Sequence, residues 1–596
     1  MQDLPKNILL EYYKDKTEQS INYLKEKYQL VICSKDDEDV PTGIKIGKNY
    51  KLYYKVKITI LSKQFTLILA FPDFFPDVFP KIYLSIKDYQ DIYPIPHLDN
   101  DRFICTSDPN VVSLNDKKPG KAVEELIKKA IEIIKEGINK ENAEDFIEEF
   151  IAYWSNEADN TFLSIYEPGN DFELLYLFKL SEYFFGQHYI LSKTEEELKR
   201  WLMPFGVELN SLKLKVLYIP TNKFNPFSLR ENKDLLEILE NYQNNKYFKS
   251  VEQYFNNNID NSIICASFII GENRILFGWK HLRGIGEMFK GFRNNRIPLN
   301  IRLITRNLPI KKNRIIRLDK ERIFKRGGSI TSLLKKDINL TLLGCGSIGS
   351  FLAMSLSRCG ISNFELIDKE ILSPENIPRH LCGMLEASKG MYKGDAIKKR
   401  LMEHFPYIEC KVYDEDFLEL IKERKLSFEK CDILIVALGD FSLERRINFL
   451  QRKGEINCPI IYLWIEPYGI GGHALYINPN DKGCFECCFN NDGRFKYSIV
   501  ESEQVFEKRE SGCQSTFIPY SSLNIEQFIS IICKNIITIL EKKLKESMLF
   551  TWIGDIEEFE SFNFKISPMY SGQSPYTLIQ KRSFQNEFCK ICGKKV

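Results

Sequence analysis

The chain has 596 residues, 44% of them hydrophobic, which is too long for one core and enough for several, so two to four globular domains are expected. Lysine and arginine number 83 against 81 aspartate and glutamate, a formal charge of +2 that offers no global field for nucleic acid or an anionic membrane. Met1–Leu10 lacks a secretory pattern and no stretch is read as long enough to span a bilayer, so a cytoplasmic protein is expected, its 16 cysteines divided among metal ligands, reactive thiols and buried hydrophobes.

In chain order, residues 7–30 show helical spacing, and Tyr50–Thr59 and Phe65–Phe71 read as strands. A bend punctuated by Pro72, Pro76 and Pro80 comes next, then an extended stretch Lys81–Ile86. Ala122–Ile138 and Ala143–Trp154 repeat apolar residues every three or four positions and read as amphipathic helices, which closes an α+β domain over residues 1–160. Residues 161–328 mix strands, such as Leu212–Tyr218 and Ile263–Ile270, with helical and Asn-rich segments, giving an α+β linker or docking domain without a chemical motif. From Ile338 the order becomes strand, glycine turn, helix, strand, the start of a Rossmann-type α/β domain over 329–596.

Gly344-Cys-Gly346-Ser-Ile-Gly349 comes after a strand and opens a helix, so a phosphate can approach backbone N–H groups at the helix N-terminus. Asp368 ends the next strand, where it can bind ribose hydroxyls; a nicotinamide-dependent dehydrogenase would begin the same way. Cys484-Phe-Glu-Cys487 and Cys589-Lys-Ile-Cys592 are two Cys-x-x-Cys pairs that can supply four thiolates to one structural zinc ion. Free core thiols or a redox pair are the competing reading, and Cys488 is a competing ligand outside the mirrored spacing. Cys513 lies in a polar loop ahead of the helical stretch Ile525–Lys543, where a helix dipole favours the thiolate. Cys33, Cys265, Cys359 and Cys410 are assigned to packing.

Beyond the glycine loop, the chain resembles the ThiF family of adenylating enzymes, relatives of ubiquitin-activating enzymes. The likeness lies in Asp368, Asn376 and Arg379 of the run 368–380, in Lys393 heading Lys-Gly-Asp-Ala, and in Asp440 of Val-Ala-Leu-Gly-Asp. It implies ATP as cofactor, Arg379 and Lys393 as the cations that neutralise the α-phosphate under attack by a carboxylate, and Asp440 as the holder of Mg2+. It also implies a catalytic cysteine after the adenylation motifs, at Cys513.

The N-terminal run of helix, strand meander, proline bend and His97 before Ile104-Cys105 resembles a ubiquitin-conjugating domain. The family's His-Pro-Asn is absent; Asn100 and His97 are the two residues able to take the place of its asparagine. A conjugating-type domain ahead of an activating-type domain is similar to the bacterial fusion enzymes of CBASS anti-phage systems. That resemblance implies a homodimer that charges the C-terminus of a cGAS-like cyclic-dinucleotide synthase, passes it from Cys513 to Cys105 and attaches it to lysines of acceptor proteins. Arg326-Gly-Gly328 reads either as an arginine finger reaching a neighbouring subunit or as a linker turn. A sulfur-carrier activator and a non-catalytic adaptor for a ubiquitin-like protein are the alternatives, the first at odds with the long N-terminal half, the second with intact Arg379, Lys393 and Asp440.

Overall fold

In the computed structural model, which describes residues 8–41, 50–93, 95–106, 117–139, 141–142, 145–221, 229, 231, 234, 248–257, 262–270, 273–281, 309–325, 327, 337–501, 504, 506, 508–509 and 516–593, the chain forms two units. One comprises Met1–Lys179, Phe185–Lys193 and Ser211–Arg317; the other comprises Leu180–Phe184, Thr194–Asn210 and Leu318–Val596. Cys513 and Arg326 lie outside the described residues.

The first unit opens with helix α1 (Ile8–Lys25), whose Ile21 and Leu24 pack on an antiparallel meander. Its strands are β1 (Leu30–Cys33), β2 (Tyr50–Ile60), β3 (Lys63–Pro72) and β4 (Lys81–Leu84), in that order. Every second residue of β2 from Tyr54 to Ile60 is buried, as a sheet with one covered face requires. The extended stretch ends at Leu84 because Ser85 caps a helix, α2 (Ile86–Ile92), by accepting the Asp88 N–H. Helix α3 (Pro119–Asn139) buries Val123, Ile127, Ala130 and Ile134 on the same core.

Helix α4 (Asp145–Asn156) leads into a closed seven-stranded barrel, the form taken by the segment whose strands were expected without an architecture. The strands are β5 (Asn160–Ser164), β6 (Glu173–Phe184), β7 (Gln187–Ser192), β8 (Leu209–Pro220), β9 (Ser262–Ile270), β10 (Asn273–His281) and β11 (Lys311–Arg317), closing in the order β10-β11-β5-β7-β6-β8-β9. Helices α5 (Glu195–Leu202) and α6 (Phe248–Asn257) lie between these strands in sequence. Parallel pairs (β11 with β5, β5 with β7, β8 with β9) are mixed with antiparallel ones.

The second unit is built on an eight-stranded sheet. Strands β12 (Asn339–Leu343), β13 (Asn363–Ile367), β14 (Glu409–Tyr413), β15 (Ile433–Val436) and β16 (Ile460–Ile465) are parallel, in the order β14-β13-β12-β15-β16. Strands β17 (Gly471–Ile477), β20 (Met548–Ile553) and β21 (Leu578–Lys581) extend it antiparallel; a two-stranded ribbon, β18 (Lys508–Arg509) and β19 (Thr516–Phe517), stands apart. The chain leaves β12 toward β13 and later returns to its other side at β15, which makes a switch point where α/β sheets bind ligands.

Helices α7 (Ser347–Arg358), α8 (Lys393–His404) and α10 (Ser522–Lys542) contribute to the core on one face, and α9 (Phe441–Arg452) contributes to the other. Helix α10 corrects one expectation, since by length and hydropathy it is long enough to cross a bilayer. Its apolar stripe of Ile525, Phe528, Ile529, Ile532 and Ile536 is buried in the sheet's core, which accounts for that composition.

Candidate active sites

At the carboxyl ends of β12, β13 and β15 the second unit holds a cavity of about 360 Å³. Gly344 and Gly346, Asp368, Asn376, Arg379, Lys393 and Asp440 all line it, together with Ser347, His380 and the stretch Glu415–Phe417. Gly349 does not; its part is steric. A Cβ there would stand 1.9 Å from the Gly344 carbonyl oxygen, and one on Gly344, at φ +96°, would stand 2.5 Å from the Ala437 oxygen. A Cβ on Gly346 meets no described atom within 4 Å, so that glycine borders open space at the first turn of α7, where helix N–H groups attract anions.

Asp368 fastens the loop. Its Oδ2 accepts the Cys345 N–H at 2.7 Å and its Oδ1 the Glu370 N–H at 2.9 Å, while burial raises its carboxyl above the usual range despite both bonds. A carboxylate has about four acceptor sites, so lone pairs remain for ribose hydroxyls. His380, which the motif reading passed over, accepts the Cys382 N–H on Nδ1 at 3.0 Å. Its Nε2 is therefore the donor to the Cys345 carbonyl at 2.9 Å, and burial keeps the ring neutral by lowering its pKa.

The two cations are held differently. Lys393 is 7% exposed at the start of α8 and pairs with the carboxylate of Glu370, which also lines the cavity. Arg379 stacks over Tyr520 at 4.7 Å and donates to the Ile518 carbonyl at 3.2 Å, while Tyr520 meets Ser347 at 3.0 Å. The segment just past Cys513 in sequence therefore forms part of the cavity's surroundings. Asn376 accepts from the N–H and hydroxyl of Ser373 within a short 3₁₀ turn. Asp440 caps α9 with Oδ1, which accepts from Ser442 and Leu443, leaving Oδ2 without a partner among the described residues and suited to a hard cation.

One helical turn below, Glu444 is fully buried. Its Oε1 accepts the Gly439 N–H at 3.2 Å, Oε2 has no partner among the described residues, and burial pushes its carboxyl up to about 8. Farther along α9, Asn448 accepts the Phe485 N–H at 3.1 Å, Arg445 meets Glu486 at 3.0 Å, and Arg452 donates to the Gly483 carbonyl.

Those partners belong to the cysteine cluster. The sulfurs of Cys484, Cys487, Cys589 and Cys592 lie within 4.8 Å of one another, with nearest pairs at 3.3, 3.6 and 4.0 Å. A tetrahedron with zinc–sulfur bonds of about 2.3 Å has edges of about 3.8 Å, so the four residues fit a zinc ion. Cys488, buried beside them, stands outside the set. Hydrogen bonding to Cys484 pulls the Cys589 thiol down and bonding to Cys487 pushes Cys484 up, whereas a bound dication would favour the thiolate at all four.

In the first unit Cys105 is exposed on a tight hairpin. Leu98 bridges Ile104, and the Cys105 N–H donates to the His97 carbonyl at 2.8 Å. Asn100 sits at the hairpin's turn, three residues from His97 or about 10 Å along a strand, with its Oδ1 taken by the Tyr93 hydroxyl at 2.6 Å. Of the two residues expected to replace the missing asparagine, the hairpin brings His97 to Cys105 and leaves Asn100 at its far end. Cys33, Cys359 and Cys410, assigned to packing, are half-buried, and Cys265 is fully buried.

Comparison with known proteins finds matches to two separate stretches of the chain. Residues 331–571 match the ThiF family and residues 41–163 match prokaryotic E2 family B. Among curated relatives, the "ATP-dependent ubiquitin transferase-like protein Cap2" of Pseudomonas aeruginosa is 25% identical over 30% of this chain and 32% of its own length. The Escherichia coli protein of that name is 24% identical over 39% and 40%. The matches thus span about a third to two fifths of those relatives. A crystal structure of E. coli MccB covers 45% of this chain and 68% of its own, at 16% identity and a TM-score of 0.32.

Proposed function

We propose that this chain, which joins a ThiF domain to a prokaryotic E2 family B domain, is an ATP-dependent enzyme that activates a protein's C-terminal carboxylate and conjugates it to lysine amines. The observation that carries the reading is the cavity ringed by Gly346, Asp368, Asn376, Arg379, Lys393 and Asp440, which combines an anion-binding helix end, two cations and a carboxylate. A carboxylate oxygen attacks the α-phosphorus, pyrophosphate leaves, and Arg379 and Lys393 neutralise the charge that builds up; Lys393 must loosen from Glu370 to do so. Asp440 would hold Mg2+, which supplies further charge neutralisation at the leaving phosphates.

The Cys513 thiolate then takes the acyl group and AMP departs. Ile518 comes five positions after Cys513, a chain length of at most about 18 Å, which supports a relay beginning near this cavity. The Cys105 thiolate takes the acyl group in turn, and an acceptor lysine amine displaces it, losing a proton and forming an isopeptide bond. The donor in this reading is a cGAS-like cyclic-dinucleotide synthase of an anti-phage system, and the enzyme is a cytoplasmic homodimer with structural zinc at the four cysteines.

The test is ATP-driven formation of a reductant-sensitive adduct with such a synthase, in the wild-type chain and in Cys513→Ala and Cys105→Ala. Cys513→Ala is expected to retain ATP–pyrophosphate exchange and lose every adduct, and Cys105→Ala to keep the first thioester and lose the lysine conjugate. Conjugation unchanged in Cys105→Ala, or AMP release that needs no protein carboxyl terminus, would sink the reading.

A further inference from the structure

Helix α4 serves two neighbours within the first unit. Toward the Cys105 hairpin, Glu149 spends both oxygens on one residue: Oε1 meets His97 Nδ1 at 2.7 Å and Oε2 accepts the His97 backbone N–H at 2.9 Å. Tyr153, one turn on, donates to Glu149 Oε2 at 3.0 Å and to the Ile95 carbonyl at 3.1 Å. Asp145 meets His97 Nε2 at 3.4 Å. His97 is held at φ +62°, a left-handed conformation that needs support in a residue with a side chain.

The same helix is rooted in the barrel. Phe150 lies 5.3 Å from Phe268 and 5.0 Å from Phe277 in the barrel core, and Trp154 lies 5.0 Å from Phe277. The indole N–H of Trp154 donates to the Gly278 carbonyl of β10 at 3.2 Å and to the Asn313 carbonyl of β11 at 3.0 Å. These aromatic contacts and buried bonds give the barrel a rigid hold on the residues one position before each anchor, Glu149 and Tyr153.

We propose that α4 is a clamp by which the β-barrel, through the positioning residue Glu149, fixes His97 beside Cys105 for acyl transfer. The His97 carbonyl accepts the Cys105 N–H at 2.8 Å, so fixing His97 fixes the backbone that carries the thiol. With Nδ1 on Glu149 and Nε2 facing Asp145, the imidazole serves as the tether that holds this backbone still rather than as a donor to the oxyanion. Among the described residues, Glu149 and Asp145 are the charged groups that act on the ring; the Glu149 bond, opposed by burial, raises its pKa and favours the doubly protonated form. The inference rests on Cys105 being the acyl carrier, but the clamp is a property of the resting chain.

The chain has six histidines, so ¹³C-labelled histidine in the full-length protein gives a readable titration, with His97 assigned by its loss in His97→Gln. Glu149→Gln is expected to lower the His97 titration midpoint and to slow discharge of the Cys105 thioester to free lysine about tenfold or more. Trp154→Phe, which keeps an aromatic ring but removes both barrel bonds, should move both readouts in the same direction by a smaller amount. An unchanged His97 midpoint in Glu149→Gln overturns the clamp; unchanged midpoint and discharge in a Trp154→Phe chain of wild-type melting temperature overturn the barrel's part in it. A Cys105→Ala chain that still conjugates strikes the conjugation reading alone and leaves the His97 shifts standing.

Discussion

Substituting Gly349 by alanine tests how the glycine loop is built. The new Cβ would sit 1.9 Å from the Gly344 oxygen, against about 3.2 Å for an ordinary contact, so the two backbones must part by more than about 1 Å. Gly344 has no room to retreat, because its own Cα side faces the Ala437 oxygen and its N–H is bound to the Ile367 carbonyl at 3.0 Å. Overpacking of this kind costs about 1–3 kcal/mol, of which alanine's better helix propensity within α7 returns up to about 1 kcal/mol. The net loss of stability is therefore about 0–3 kcal/mol, about 0–12 °C in melting temperature for a domain of this size. The displacement continues to Gly346 at the cavity, where a misplacement of about 1 Å costs about a hundredfold in rate. ATP–pyrophosphate exchange should fall by that factor while the melting temperature falls by at most about 12 °C. Gly346→Ala, which adds its Cβ to open space, should leave the melting temperature unchanged and still depress exchange. Exchange in Gly349→Ala within about threefold of wild type would refute the steric account of the loop.

Three further outcomes are expected. Strong chelation should remove one metal ion per chain by mass spectrometry and lower the melting temperature sharply, and Cys589→Ser should reproduce both effects, whereas Cys488→Ser should retain the metal. Glu444, raised to about 8 by burial, contributes stability that is fully present below its unfolded value near 4.5 and is lost as pH rises through 8. Glu444→Gln should accordingly flatten the fall in melting temperature between pH 5 and about pH 9; an identical slope in both proteins would count against a buried protonated acid. Arg379→Lys, which keeps the charge but loses the planar group stacked on Tyr520, should lower exchange at least about tenfold, read by the same assay.

Local order in sequence decided what could be read without coordinates. The glycine loop, Asp368, Asn376, Arg379 and Lys393 fall within fifty residues on consecutive elements, and each strand-to-helix turn delivers its residue to the same sheet edge, so spacing alone locates them. The two cysteine pairs are about a hundred residues apart, yet their identical spacing announces a shared partner. The barrel gave no such signal, since its parallel pairs join β11 to β5 and β8 to β9, distant segments whose turn chemistry says nothing of pairing. Glu149 lies 52 residues from His97, and a glutamate on an amphipathic helix reads as a solvated charge until its partner is seen. Glu444 was hidden for the same reason, four residues past a capping aspartate where acidic residues ordinarily face water.

Helix α9 is about 18 Å long at 1.5 Å per residue, with Asp440 capping one end at the cavity and Arg452 gripping the cysteine loop at the other. It acts as a lever arm. A tilt of about 5° pivoting at the cysteine end sweeps the cap through about 1.6 Å, which is more than the tolerance of an in-line phosphoryl transfer. Small errors of fit at the sulfurs are thus magnified at the phosphates, so substitutions in the Cys484–Cys488 turn that spare Cys484 and Cys487 should behave as mutations of catalytic alignment long before they register as mutations of stability.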